Sequence, residues 1–208
     1  MLTPDQIEHN WNELQRYIPE HLKPIFSRYN HDVQVEDVQI LGLMCAPAGK
    51  GVHHAYQGGL VEHILEMVYY LNSFDSLLDE SDNRASLDHA AMIEGALLHD
   101  IHKGFMHFYV QKDGSFDYYK GAWNAFNTPN QKTIAMLMEC DVIISPKVLH
   151  ILNCSEGGWA ENAPREATVE AKLVYVADEL SVVNSRLKQG NTKSIRDQKP
   201  SWFDLSAF

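Results

Sequence analysis

His99 and Asp100 close an apolar stretch, Ala90-Ala91-Met92-Ile93-Glu94-Gly95-Ala96-Leu97-Leu98. Such a run belongs in a core, where an unpaired charge is costly. A divalent metal ion is the most economical partner for a buried imidazole beside a carboxylate. Two further apolar helical patterns each carry one such residue. His63 lies close to the face made by Leu60, Ile64, Met67, Val68 and Leu71, and Asp178 sits midway through Ala167 to Val183. Any one of them alone reads as a hydrogen-bonded core residue. Together, neutral imidazoles and carboxylates suit one divalent transition metal ion: manganese, cobalt, iron, nickel or zinc. On an ideal helix His99 and Asp100 diverge by about 100°. An ion gripped by both must therefore lie beside the helix end, between their directions. Four protein ligands leave positions open for water, an arrangement that suits hydrolysis.

The elements that must position these residues are mostly helical. Thr3 can cap a first helix, Pro4 suits its first turn, and Ile7, Trp11, Leu14 and Ile18 recur at helical spacing. Pro19 ends it, and a second short helix follows from Glu20 to Tyr29. Residues 43–59 are loop-like, broken by Pro47, Gly49, Gly51, Gly58 and Gly59. A long helix then starts near Leu60, and another runs from Ser86 or Leu87 into His99-Asp100. Aromatic residues flanking Asp113-Gly114 predict a β-hairpin between Phe105 and Lys120. Trp123 and Phe126 extend that aromatic segment. Pro129 opens a helix through about Glu139, and a short helix covers Pro146 to Leu152. A polar loop with Cys154, Gly157-Gly158-Trp159 and Pro164 leads to a last helix near Arg165. That helix is apolar almost all round as far as Val183, which predicts burial on every side. The pattern is that of an all-α bundle with one small hairpin insertion.

Composition narrows the function classes. The chain has 208 residues, enough for one sizeable core. Its formal net charge is −11 with no compensating basic patch, which weighs against a long nucleic acid but not against a small nucleotide. Eleven histidines are about twice ordinary usage. Cys45, Cys140 and Cys154 have no metal-finger spacing and read as reduced thiols. No signal peptide or membrane span is evident. A soluble cytoplasmic protein is expected, with homo-oligomerisation left open.

Three stretches carry a family resemblance. They are His53-His54-Ala55-Tyr56-Gln57-Gly58-Gly59-Leu60-Val61-Glu62-His63, Ala96-Leu97-Leu98-His99-Asp100-Ile101-His102-Lys103 and Val174-Tyr175-Val176-Ala177-Asp178-Glu179-Leu180. Their order and wording resemble the HD-domain metal-dependent phosphohydrolase superfamily. The resemblance implies an HD-domain helical bundle over residues 46–190, with N-terminal helices over 1–45 packed on the core and a C-terminal tail over 191–208. It implies that His63, His99, Asp100 and Asp178 bind the metal, with Asp100 also orienting the attacking water. Lys103 would neutralise the substrate phosphate, and His54 would reach that phosphate or the water. The branch of bacterial 3′–5′ exoribonucleases often has two further histidines before the last motif. Here Leu152-Asn153-Cys154-Ser155-Glu156-Gly157-Gly158-Trp159 has none, so one metal is expected. His53, His102 and His107 are expected in supporting or surface roles, and Glu62 and Glu66 on an exposed face. Trp123 and Phe126, with Tyr118 and Tyr119, either stack on a nucleobase or pack the hairpin onto the core. The expected function is hydrolysis of a phosphate ester or anhydride of a small (deoxy)nucleotide. The alternatives are a 3′–5′ nuclease or signalling-nucleotide phosphodiesterase, and a nucleotide-binding module without catalysis.

Overall fold

A computed structural model describes residues 2–51, 53–77, 87–105, 107–119, 128–155 and 167–188. Helix α1 (Pro4–Gln15) starts where expected: the Thr3 hydroxyl accepts from the Gln6 amide, and the Gln6 side chain accepts from the Thr3 amide. It buries Ile7, Trp11 and Leu14. A 3-10 turn (Glu20–Leu22) leads into α2 (Lys23–Tyr29). After strands β1 (Val33–Val35) and β2 (Val38–Ile40) comes a loop, then α3 (Gly59–Leu77). Helix α4 (His89–Leu98) begins two residues or more after its expected start, because the Asp88 carboxylate caps it by accepting from the Ala91 amide. A 3-10 turn (Ile101–Gly104), strands β3 (Phe108–Val110) and β4 (Phe116–Tyr118), and helices α5 (Pro129–Glu139), α6 (Pro146–Ser155) and α7 (Val169–Lys188) complete the order. None of the helices among the described residues is long and apolar enough to cross a membrane.

Three expectations change. The β3–β4 hairpin forms around Gly114, whose φ of +81° suits glycine. It is not an isolated insertion, however. Ile40 of β2 pairs with Tyr109 of β3, giving a four-stranded antiparallel sheet in the order β1-β2-β3-β4. The fold is helix-dominated, broadly in line with the all-α expectation, with a small four-stranded sheet in place of a lone hairpin. Second, α7 is not buried all round: Val169, Val176, Leu180 and Leu187 are exposed. It packs against α3, α4 and α6 through one face, made largely of Ala171, Val174, Ala177, Ser181 and Ser185. Third, Cys154 lies in α6, buried, because that helix runs to Ser155. The predicted loop over Gly157–Trp159 and Pro164 falls outside the described residues, as do Trp123, Phe126 and residues 189–208.

Helix α4 lies at the centre and contacts α3, α6 and α7. Its end therefore delivers His99 and Asp100 into the interior. The loop before α3 is held by three backbone bonds: Gly58 N to Cys45 O, Leu60 N to Ala46 O and Ala48 N to His54 O. Gly59 is needed for the last of these approaches, since a Cβ there would lie 2.1 Å from the His54 carbonyl oxygen. Gly59→Ala is expected to destabilise the protein by about 2 kcal/mol through overpacking against backbone. Urea denaturation measures this, and an unchanged midpoint would contradict the tight contact.

Candidate metal centre and cavity

Three helices converge on one point. His63 comes from the second turn of α3, Asp178 from the middle of α7, and His99 with Asp100 from the end of α4. The adjacent pair can share a target because the helix stops between them. His99 keeps helical angles, whereas Asp100 moves to φ −116°, ψ 8°. The Nε2 atoms of His63 and His99 are 3.2 Å apart. Asp178 Oδ1 is 3.2 Å from His63 Nε2, and Asp100 Oδ2 is 3.4 Å from His99 Nε2 and 3.8 Å from His63 Nε2. Ligand atoms of His63, His99 and Asp178 all lie within 4.8 Å of one another. The His99 Nδ1–H donates to the Ala96 carbonyl at 2.8 Å, which aims Nε2 at the cluster.

Two imidazole nitrogens and two carboxylates face one another, with His63, His99 and Asp100 buried and the Asp178 side chain 22% exposed, and form a donor set that fits a divalent transition metal. The electrostatics agree. Burial pushes His99 down, but the Asp100 carboxylate, helped by Asp178, lifts it to about 9. Burial lowers His63 against the opposing pull of Asp178. Burial alone would raise Asp100, yet Lys103 and His99 hold it well below the usual carboxylate range. The spot draws positive charge. Lys103, one turn on, donates to Asp100 Oδ2.

A cavity of about 360 Å³ opens on this cluster. His99, Asp100 and Asp178 line it, with Lys50, Lys103 and Arg186 as cationic groups and His107, Phe108 and Tyr118 as an aromatic wall. Tyr118 stacks on Phe108 with ring centroids 5.2 Å apart. Burial and the nearby Lys132 and Lys103 push His107 down to about 4. His102, expected in support, is buried edge-on against His107.

The expectation for His54 is corrected. This residue has a positive φ of +42°, and its ring lies beside those of His53 and His63, with centroids 5.7 and 5.3 Å away. His54 is fully buried away from the cavity lining, with Nε2 3.3 Å from Glu66. His53 is the one that lines the cavity, its ring centroid 5.2 Å from that of His63. Burial, with His63 and Lys103 nearby, pushes His53 down to about 3, so it is neutral. Glu66 is also not on an exposed face. Its side chain is 14% exposed and accepts from Ser181, Asn184 and Lys188, each at 2.8 Å. Arg186 was not anticipated, although it follows Asp178 and Val182 at intervals of four along one helix face.

The HD domain family matches residues 60–182, a span containing His63, His99, Asp100 and Asp178, and the chain belongs to that family. Over 136 residues, 64% of this chain, it is 33% identical to the dihydroneopterin 2′,3′-cyclic phosphate phosphodiesterase of Methanocaldococcus jannaschii. The chain spans about half the length of that relative. No solved structure matches the chain significantly.

Glu66 yields a test that needs no metal. Burial alone would raise it, but bonds from His54, Lys188 and Ser181 hold it down to about 2 from its ordinary 4.5. A carboxyl depressed on folding stabilises fully above its unfolded value, and that contribution is lost as pH falls from about 4.5 towards 2. The shift corresponds to about 3 kcal/mol. Glu66→Gln is expected to be less stable at pH 7 and to lose stability less steeply below pH 4.5. Urea titrations at stepped pH give both quantities, and parallel curves for variant and parent would refute the assignment.

Proposed function

We propose that this protein is a metal-dependent phosphohydrolase acting on a phosphate ester of a small, ring-bearing molecule. The preferred substrates are a (deoxy)nucleotide or a cyclic phosphate of the kind named for the archaeal relative. One observation carries this reading: buried His63 meets His99, Asp100 and Asp178 beside a small cavity that the last three line together with Lys103. A volume of about 360 Å³ suits a small ligand. The net charge of −11 disfavours a long polyanion.

His63, His99, Asp100 and Asp178 would hold the divalent ion, which supplies Lewis acidity toward water and the phosphoryl group. The chain's own groups do the remaining work. An ammonium has three protons to donate. Asp100 accepts one from Lys103, which fixes the ammonium on the wall where it can also meet a phosphate oxygen. Asp100, tied to Lys103, keeps one orientation and so fixes the direction of attack. His53 is neutral and offers the phosphate a donor without adding charge. Phe108 and Tyr118 give the cavity an aromatic wall against which a substrate ring can pack. Hydrolysis adds hydroxide to phosphorus and a proton to the leaving oxygen.

The test is a phosphate-release and product screen with Mn²⁺, Co²⁺, Fe²⁺, Ni²⁺ and Zn²⁺. It covers nucleoside mono- and triphosphates, 2′,3′-cyclic nucleotides, dihydroneopterin 2′,3′-cyclic phosphate and a labelled oligonucleotide. Turnover of at least one small ester, with the oligonucleotide intact, is the expected result. Degradation of the oligonucleotide alone would replace this reading with a nuclease. Asp178→Asn should lower turnover by at least about 100-fold, a ligand mattering more than its supporting partners, with helical circular dichroism retained. Unchanged turnover would remove Asp178 from the site.

A further inference from the structure

We infer that Glu66 and Ser181 are positioning residues that fix His63 as its Nδ1–H tautomer, so that the Nε2 lone pair faces the shared cation site. This rests on the metal-site reading above.

The argument is a count of protons. His63 Nδ1 lies 2.9 Å from the Ser181 hydroxyl oxygen, which lies 2.8 Å from Glu66 Oε2. Glu66 also accepts from Asn184 and Lys188, and an ionised carboxylate only accepts. Ser181 has a single hydroxyl proton, so it gives that proton to Glu66 and presents a lone pair to His63. His63 Nδ1 must then carry a hydrogen. A neutral imidazole carries one ring proton; the 2.9 Å bond to Ser181 holds it on Nδ1 against the longer 3.2 Å approach of Asp178 Oδ1 to Nε2, which leaves Nε2 bare.

His63 and Ser181 are both 0% exposed, so no solvent competes for either bond. His99 commits its Nδ1 proton outward in the same way, to the Ala96 carbonyl. The 3.2 Å approach of the two Nε2 atoms thus sets the His63 lone pair facing His99 Nε2, at a place that draws positive charge.

The placement is regular. Glu66 follows the ligand His63 by one turn on α3, and Ser181 follows the ligand Asp178 by one turn on α7. Beneath the ligands lies a supporting layer that runs from α3 to α7 and back to α3. Without the Ser181 hydroxyl the ring is free to move its proton to Nε2, where it blocks coordination.

The full chain is compared as parent, Ser181→Ala, Ser181→Thr and Glu66→Gln. Two measurements are made: Co²⁺ affinity by equilibrium dialysis, and ring tautomers of the metal-free protein by long-range ¹H–¹⁵N NMR. The parent should show His63 as Nδ1–H. Ser181→Ala should bind Co²⁺ about 10- to 100-fold more weakly, the usual effect of losing such a support, and move the His63 proton to Nε2 while His99 stays unchanged. Ser181→Thr, which keeps the hydroxyl, should restore the parent tautomer. An Nε2–H His63 in the parent would overturn the inference. So would affinities within twofold of the parent in both folded Ser181→Ala and Glu66→Gln. A parent that binds no Co²⁺ would sink the metal reading instead, and the tautomer spectrum of the parent, which needs neither metal nor a folded variant, would still decide this one.

Discussion

Two carboxylates and two imidazoles cannot be buried face to face without positive charge between them. That constraint organises this molecule. Asp100 and Asp178 enter the interior on different helices, and each would be strongly destabilising there alone. Lys103 meets Asp100 from its own turn, and His99 is drawn toward its charged form by both acids. Helices α3, α4 and α7 therefore have a common reason to meet at this point besides the packing of Leu60, Leu98 and Val174. His63, His99 and Asp100 are buried, which makes the charge requirement sharper.

The cluster of His63, His99, Asp100 and Asp178 was legible because each member interrupts an apolar periodicity. His63 and Asp178 stand out against Leu60, Ile64, Val174 and Ala177, and no fold knowledge is needed to see it. The first cap was equally plain, at Thr3. The β1–β2 hairpin was missed, though its signal is present. Val33, Val35, Val38 and Ile40 sit on either side of Glu36-Asp37, and Glu36 takes a positive φ. Three-residue strands are too short to stand out against a helical chain. Their pairing with β3 lies some 70 positions away and leaves no local mark.

Other errors arise where one backbone angle or a distant partner decides. His54 takes a positive φ and is buried while His53 lines the cavity, and composition shows neither. Glu66 looks like a solvated acid on α3 until α7 brings Ser181, Asn184 and Lys188 alongside it. Helix α7 looks central because Val169, Val176, Leu180 and Leu187 add apolar residues to a face that the fold leaves outside. A hydrophobic count cannot tell which side of a helix has neighbours.

The β2–β3 pairing separates two tasks. The ligands stand on helices locked into the core, whereas Phe108 and Tyr118, the aromatic part of the wall, stand on a sheet anchored by the N-terminal hairpin. Strand residues can be exchanged without moving a helix axis. Under the proposed function, recognition of the organic half of a substrate is thereby free to diversify while the hydrolytic half stays the same, so relatives sharing one reaction need not share a target.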